Sequence, residues 1–191
     1  MRIPSLLLTL TCVAAICLCA QAGATLLDSW ENDGFAGIGD ATGPWMRHDK
    51  APAGMTFVFS NKHASEGEYS LAVTTPGGWT RAMINTGNRT LALGDASLRR
   101  VMSDKLMISI DVYADESLIS GTIDMVMIGN GMDWTQCGGD PLRCGGSITL
   151  RYLITPETAA RLALDNEWFQ FIIIIDSKGP GTLYLDNLRA E

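Results

Sequence analysis

The sequence predicts an all-β protein, an antiparallel two-sheet β-sandwich with one or two short helices. Three observations lead to this fold class. Apolar and polar residues alternate with a period of two in several segments, turns rich in glycine and proline separate those segments, and helical periodicity is scarce. The 191 residues are 47% apolar and 18% charged, so the chain can bury a core and is too apolar to be disordered.

The alternation defines the candidate strands. It is clearest in residues 105–113, 122–128 and 147–154, where every second residue is apolar. Residues 168–176 become apolar on both faces, as expected for a central strand that is covered on both sides. Shorter candidate strands, each bounded by turn residues, are Thr25–Trp30, Thr56–Ser60, Tyr69–Thr74, Arg81–Asn85 and Thr182–Ala190.

One helix has a clear start signal. Thr155 supplies a capping hydroxyl, Pro156 suits the first turn, and Glu157 places a negative charge at the positive end of the helix. We expect this helix to end near Leu164. A weaker helical turn is predicted over Ala96–Met102.

The first 22 residues have the layout of a secretory signal peptide. Arg2 precedes an apolar run, Leu6–Ala20, that is shorter than the roughly 20 residues of a membrane-spanning helix. Small residues at Ala20 and Ala22 form candidate cleavage sites. We therefore expect residues 23–191 to form a single exported domain without a membrane span, located outside the cell, in a periplasm or at the cell surface.

The charge balance bears on the partners. The formal net charge is −7 and the sequence pI is about 4.8. Proteins that bind DNA or RNA backbones carry basic stripes, so this acidic balance argues against nucleic acid as a partner.

Two cysteines, Cys137 and Cys144, remain after the expected leader. They enclose a short segment that contains glycines and a proline, CGGDPLRC. In an exported protein such a pair predicts a disulfide that closes a small loop. A zinc site would need two further ligands, and His48 and His63 lie far away in the sequence without helical spacing.

Motifs near both ends of the expected domain resemble a known family. They are LLDSWEND, SEGEYSLAVTT followed by GGW, EWFQFIIII, and LYLDNLRAE. This order resembles the jelly-roll (galactose-binding-like) carbohydrate-binding modules of secreted bacterial proteins, and the resemblance covers nearly all of residues 23–191. It implies a jelly-roll topology for the sandwich and the non-catalytic binding of a polysaccharide.

The resemblance also implies a structural calcium ion where the first and last strands meet. The matching carboxylates are Glu31 and Asp186, with Asp28 as a third candidate, and a carbonyl near residues 65–68 would complete the shell. Calcium takes six to eight oxygen ligands, so such a group of carboxylates and carbonyls suits it. The alternative is that these acids cap turns or face solvent.

A second group of polar residues lies in the middle of predicted strands. Asp111, Asp124, Arg151 and Gln170 are expected to converge on one concave surface, where they would bind sugar hydroxyls. Their alternative role is in ordinary solvent-facing cross-strand pairs.

A sugar ring also needs an aromatic side chain that packs against its apolar C–H face. Trp134, expected in a loop, is the first candidate, and Trp79 is the second. Trp30 and Trp168 lie within strand patterns and are expected in the core.

Enzymatic function is not favoured by the sequence. Neither His48 nor His63 lies near a nucleophile elbow. Asp111 and Asp124 could form an acid–base pair, but two carboxylates on neighbouring strands are common. We therefore predict a non-enzyme. The alternative is an exported structural or surface-interaction protein of the same fold with no sugar ligand. The sequence makes no prediction of oligomeric state.

Overall fold

The computed structural model describes residues 23–31, 45–47, 54–87, 89–90, 92–164 and 168–191, with the backbone alone for 46–47 and 77–85. The predicted leader and His48 lie outside these residues. The described part contains nine strands and two helices, namely β1 (Thr25–Asp28), β2 (Trp45–Arg47), β3 (Thr56–Ser60), β4 (Ser70–Thr86), α1 (Leu98–Ser103), β5 (Met107–Ala114), β6 (Ser120–Gly129), β7 (Met132–Pro141), β8 (Gly146–Leu153), α2 (Pro156–Leu162) and β9 (Phe169–Ala190). The all-β prediction is confirmed.

Two long strands, β4 and β9, connect the two layers of the sandwich. They pair antiparallel along almost their whole lengths, with a register shift between Pro76 and Trp79 opposite Pro180 and Lys178. Gly179 lies in this region with φ at +90°, a backbone conformation that favours glycine. Both strands therefore pass from one layer into the other at the same point.

Each layer is built around one half of these strands. The front layer contains β3, the first half of β4, the second half of β9, β5 and β8, and β1 pairs with the end of β9. The back layer contains β2, the second half of β4, the first half of β9, β6 and β7. All of these pairings are antiparallel, as the sequence predicted.

The core lies between the layers and follows the predicted alternation. Inward-facing residues from both layers form one buried apolar cluster that includes Ile108, Ile110, Val112, Leu150, Leu183 and Leu185 from the front and Ile123, Met125, Met127, Phe171, Ile173 and Ile175 from the back. The hydroxyl of Tyr152 on β8 donates a hydrogen bond to the carbonyl of Ile123 on β6, at 3.0 Å. The two layers are thus joined by apolar packing and by a polar contact.

Three strand predictions differ from the structure. Tyr69–Thr74 and Arg81–Asn85 are parts of the single strand β4, and the predicted strands 168–176 and 182–190 are parts of β9. The segment around Trp134 was expected to be a loop, but it forms strand β7, paired with β6. The glycines and prolines in these segments were interpreted as strand ends. In the structure, β4 and β9 pair with each other on both sides of these residues, so each strand continues past them.

Both helices begin where capping residues stand. The hydroxyl of Thr155 accepts a hydrogen bond from the backbone N–H of Thr158 at the start of α2, and Ser97 accepts one from Arg100 at the start of α1. The buried Arg99 of α1 donates hydrogen bonds to the carbonyls of Leu162, Arg161 and Asn130. Arg99 therefore ties both helices to the turn between β6 and β7.

Candidate functional site

The structure separates the four mid-strand polar residues. Asp111 on β5 and Arg151 on β8 lie on the outer side of the front layer, whereas Asp124 on β6 and Gln170 on β9 lie on that of the back layer. The expectation that all four converge on one surface is therefore wrong. The physical reason is that β5 pairs with the second half of β9 and β6 with the first half, so the two strands belong to opposite layers.

A carboxylate and an amide meet on the outer side of the back layer. The Gln136 side-chain amide donates a hydrogen bond to Asp124 Oδ1 at 3.0 Å. Gln136 stands opposite Val126, and Gln170 stands opposite Ile128, so the alternation of the strands places these polar side chains on one face. This face offers both hydrogen-bond donors and acceptors.

Trp134 lies on the same face, two residues before Gln136. A register shift in β7 places Asp133 and Trp134 together opposite Ile128. The Trp134 side chain remains 47% exposed, which makes it a half-exposed aromatic ring beside the polar pair. We call Trp134, Gln136, Asp124 and Gln170 the Trp134 surface.

A small apolar cluster supports the Trp134 surface. Val126, Ile172 and Ile174 are buried outside the main core, with Ile128 packed against them. Their side chains alternate with the inward-facing residues of β6 and β9, so they belong to the outer side of the back layer. The outer side of the back layer therefore combines a small apolar cluster with the polar side chains of the Trp134 surface.

A further aromatic ring belongs to this face. Trp168 was expected in the core, but its side chain is 47% exposed and Phe169 occupies the core position instead. The alternation of Phe169, Phe171 and Ile173 as inward residues already places Trp168 on the outer side, and this signal in the sequence was missed. The Trp168 carbonyl accepts a hydrogen bond from the N–H of Asn130 at 3.0 Å, which fixes it beside the end of β6.

Two of the other tryptophans, Trp30 and Trp45, are buried. Trp30 is buried in the core as expected, and Trp45 packs against it with a ring-centroid distance of 5.6 Å. Trp79 stands on β4 opposite Lys178 in the back layer, and its side chain lies outside the described part of the structure.

Asp111 is the centre of a hydrogen-bond network on the outer side of the front layer. Its Oδ1 accepts from the Thr149 hydroxyl at 2.6 Å, and its Oδ2 accepts from the Asn187 amide at 3.1 Å and the Arg189 guanidinium at 3.3 Å. The Ser65 hydroxyl lies 2.9 Å from the same Oδ2. Burial alone would raise the pKa of Asp111, but these hydrogen bonds and the Arg189 charge outweigh it and hold that pKa below its usual value.

An open cavity lies beside Asp111. It has a volume of about 230 Å³ and is lined by Ser65, Asp111, Ser147, Ile148 and Thr149. A smaller hollow connects it to His63, whose imidazole stacks on the ring of Tyr113 at 3.5 Å between centroids and an interplanar angle of 6°. We call the residues that line the cavity, together with His63 and Tyr113, the Asp111 surface.

The candidate calcium ligands are held by hydrogen-bond donors. Glu31 accepts from the backbone N–H groups of Glu68 and Tyr69, and Asp186 accepts from those of Ser65 and Glu66. Asp28 accepts from the Trp45 indole at 2.7 Å and from the Trp30 N–H. Burial raises the pKa of Asp28 and of Asp186 despite these bonds.

These contacts do not fit a calcium shell. The ion takes oxygen ligands, whereas the 65–69 loop turns N–H groups towards both carboxylates. In the described part of the chain, no three side chains of the metal-ligating types lie together. Calcium binding at Glu31, Asp186 and Asp28 therefore stays a prediction of the family resemblance. The hydrogen-bond donors around these carboxylates do not support it.

The predicted disulfide is absent. Cys137 and Cys144 are both free thiols, and both pack against the main core. The segment between them is not the tight loop that the spacing suggested, because β7 continues through Cys137 to Pro141 and Cys144 bridges to Ala114 of β5. Burial, with a smaller contribution from the charge of Asp124, raises the pKa of the Cys137 thiol to about 12.

The arrangement does not support an acid–base pair at Asp111 and Asp124. The two carboxylates lie on opposite outer faces of the sandwich, so they cannot flank one scissile bond. His63 stacks on Tyr113, and the described residues place no nucleophile elbow beside it.

Comparisons with known proteins were made for the sequence and for the fold. No family model matches the sequence, and no curated protein matches it. Among the structural neighbours is a family 11 carbohydrate-binding module from Clostridium thermocellum in complex with a β-1,3-1,4-mixed-linked tetrasaccharide. It has a TM-score of 0.53 and 13% identity over 88% of this chain and 95% of that chain.

Two further neighbours show how widely the fold is used. A carbohydrate-binding module specific for non-crystalline cellulose, CBM28, has a TM-score of 0.51 and 12% identity over 78% of this chain and 88% of that chain. The enzymatically active domain of tailspike protein 4 from bacteriophage CBA120 has a TM-score of 0.54 and 10% identity over 86% of this chain and 21% of that chain. The protein therefore has the β-sandwich fold seen in carbohydrate-binding modules. Among the described residues, no helix has the length and apolar character needed to cross a membrane.

Proposed function

We propose that this protein is an exported, non-catalytic carbohydrate-binding module that binds a polysaccharide through the Trp134 surface. The observation that carries the proposal is the half-exposed ring of Trp134 beside the hydrogen-bonded pair of Gln136 and Asp124. The same fold occurs in modules that bind cellulose and mixed-linked glucan, which supports this class of ligand.

The chemistry of the surface matches that of a sugar. A pyranose ring has an apolar C–H face that packs on an indole, while its hydroxyls both donate and accept hydrogen bonds. Gln136 donates one N–H to Asp124 and retains its second N–H and its carbonyl oxygen for a ligand. Asp124 is itself buried, so its role is to orient the Gln136 amide, and Gln170 adds a second amide on the neighbouring strand.

Trp168 extends the same surface. β7 and β9 are separated by one strand, β6, so Trp134 and Trp168 are about 10 Å apart across the sheet, and Trp168 is displaced by two residues, about 7 Å, along it. Two exposed rings so placed suit two non-adjacent sugar units of one chain. The proposal therefore assigns Trp134 as the main ring and Trp168 as a second ring.

The non-catalytic role is supported by the position of Asp111 and Asp124, because two carboxylates on opposite outer faces of the sandwich cannot flank one scissile bond. Export is supported by the signal-peptide pattern of residues 1–22. It would place the protein in the same compartment as extracellular polysaccharides.

Binding to a panel of insoluble and soluble polysaccharides tests the proposal. We expect retention of the wild-type protein by at least one polysaccharide and at least tenfold weaker binding by Trp134→Ala, a loss of about 1.4 kcal/mol. Trp168→Ala should weaken binding to long chains. Tyr69→Ala is the matched control, because Tyr69 is an exposed aromatic residue that precedes β4 in the front layer.

Two results would overturn the proposal. One is the absence of binding to every polysaccharide tested, which would favour an exported structural or surface-interaction protein of the same fold. The other is equal binding by the wild type, Trp134→Ala and Trp168→Ala, which would place the ligand elsewhere on the molecule.

A further inference from the structure

The Asp111 surface has the shape of a small binding site that the proposed function does not use. Its cavity of about 230 Å³ lies on the front layer, on the side of the sandwich opposite to Trp134. Pockets for drug-sized ligands usually measure about 300–1,000 Å³, so this cavity suits one ring-sized molecule. Four of its five lining residues are polar, and three of those four carry hydroxyls.

The hydrogen bonds around the cavity determine whether each of these hydroxyls can donate to a ligand or only accept from it. Thr149 uses its proton on Asp111 Oδ1, and Ser65 shares its single proton between Asp111 Oδ2 and Asp186 Oδ2, each 2.9 Å away. Both oxygens are therefore left as acceptors. Ser147 is exposed and has no hydrogen-bond partner among the described residues, so its hydroxyl is free to donate or accept.

The charges near the cavity nearly balance. Asp111 is paired with Arg189 at 3.3 Å, and Arg151 extends from the same face of β8, two residues beyond Thr149. Asp186 is engaged by the N–H groups of the 65–66 loop. Arg189 also contacts Glu191 at 3.0 Å, so it is shared between two carboxylates. The hydroxyls of the cavity offer acceptors and a donor to a neutral ligand that itself carries several hydroxyls.

One wall of the site is aromatic. His63 is stacked on Tyr113 and tilted against Tyr184, with ring centroids 3.5 and 4.7 Å apart. His63 also adopts a positive φ of 54°, a conformation that costs energy for a residue other than glycine. The stacking holds the imidazole in the smaller hollow, which shares Ser65, Asp111 and Ser147 with the cavity.

The geometry points to a second binding site on the front layer, formed by Ser65, Asp111, Ser147 and Thr149 with His63 as its wall, for a single neutral polyol such as one pyranose unit. Asp111 is the positioning residue, because it orients the hydroxyls of Ser65 and Thr149. The site is separate from the Trp134 surface and does not depend on the proposed polysaccharide binding.

Titration of ¹⁵N-labelled protein with a panel of monosaccharides tests this site. We expect saturable shifts of the amide signals of Ser65, Ser147 and Thr149, with affinity in the millimolar range of small open sites (about 1 mM). Ser147→Ala should weaken binding about fivefold, the loss of one hydrogen bond. His63→Asn should also weaken it, since asparagine tolerates positive φ and removes the ring.

Controls separate the two sites. Trp134→Ala should leave the monosaccharide shifts of the front layer unchanged, and Leu153→Ala, an exposed change on the same strand as Ser147, should do the same. The inference is overturned if no monosaccharide shifts the front-layer amides to saturation, if the shifts occur at Trp134 and Gln136 alone, or if Ser147→Ala binds as well as the wild type.

Discussion

Ser65 directs two hydrogen-bond donors at one oxygen of Asp186. Its backbone nitrogen lies 2.6 Å from Asp186 Oδ2, and its hydroxyl oxygen lies 2.9 Å from the same atom. The N–H of Glu66 adds a third donor at 3.0 Å. Three donors on one carboxylate oxygen occupy the position that a cation would need. The loop is therefore attached to the last strand by hydrogen bonds from the chain itself.

We expect stability to be independent of calcium. Because the 65–69 loop supplies N–H groups to Glu31 and Asp186, EDTA should leave the melting temperature of the protein unchanged, and added calcium should not raise it. Differential scanning calorimetry with and without chelator measures this. A melting temperature that falls when EDTA is added and rises again when calcium is added would contradict this expectation and support the metal site implied by the family resemblance.

Gly67 provides a structural test of the same loop. Its φ is +70°, and an added Cβ would lie 2.4 Å from the Glu31 carboxyl group. Gly67→Ala should therefore lower the free energy of unfolding by about 1–3 kcal/mol, through backbone strain and displacement of Glu31. Gly94→Ala is the matched control, since Gly94 also has positive φ (+57°) but nothing lies near its Cβ position. Equal losses for both variants would show that the Glu31 contact contributes nothing.

Asp111 should make stability depend on acid pH. Its pKa is below the ordinary aspartate value of 3.8 in the folded protein, so the unfolded chain binds more protons in this pH range. The stabilising effect of the carboxylate is present above pH 3.8 and is lost as the pH falls through the lower folded pKa. The difference in unfolding free energy between the wild type and Asp111→Asn, about 1–3 kcal/mol at neutral pH, should shrink across that range. Urea unfolding at several pH values measures it, and a constant difference would contradict the assignment.

The sequence predicted well which side chains form the core. It predicted less well which of the outward-facing side chains lie on the same surface. Period-two alternation places Ile108 and Ile123 on inward faces and Asp111 and Asp124 on outward faces, and the structure confirms these faces, although the Asp124 side chain is buried on its outer face. Alternation cannot say on which of two layers an outward residue lies. That depends on where β9 passes between layers, and the segment around Gly179 resembles an ordinary turn in the sequence.

The predicted calcium site shows a second kind of limit. The family resemblance implied a carbonyl of the 65–68 segment beside Glu31 and Asp186, and the structure brings that segment to both carboxylates through its N–H groups. Whether that loop presents carbonyl oxygens or N–H groups depends on the orientation of its peptide planes, which side-chain identities do not determine. Trp168 is a different case, because the inward position of Phe169 already indicated an outward position for its neighbour.

Arg99 is expected to be essential for stability. Its buried guanidinium donates to the carbonyls of Leu162, Arg161 and Asn130 and lies 5.9 Å from the centroid of the Phe169 ring. Arg99→Met should cost about 2–4 kcal/mol, because three carbonyls lose charged donors. Arg100→Met, an exposed change on the same helix, should cost less than about 0.5 kcal/mol. Chemical denaturation of both variants tests the contrast, and similar costs would contradict the role of Arg99.

The two cysteines should remain reduced, and Cys137 should react slowly. Burial raises the pKa of the Cys137 thiol to about 12, so the reactive thiolate is scarce at neutral pH. Alkylation of the native protein by iodoacetamide should therefore leave Cys137 unmodified on the time scale that modifies a free small thiol, and unfolding in urea should expose both residues to the reagent. Cys144→Ala tests whether the two thiols react independently. The prediction is contradicted if the protein under non-reducing conditions has a mass lower by two hydrogens than the reduced protein and Cys144→Ala removes this difference. That result would show that Cys137 and Cys144 form a disulfide.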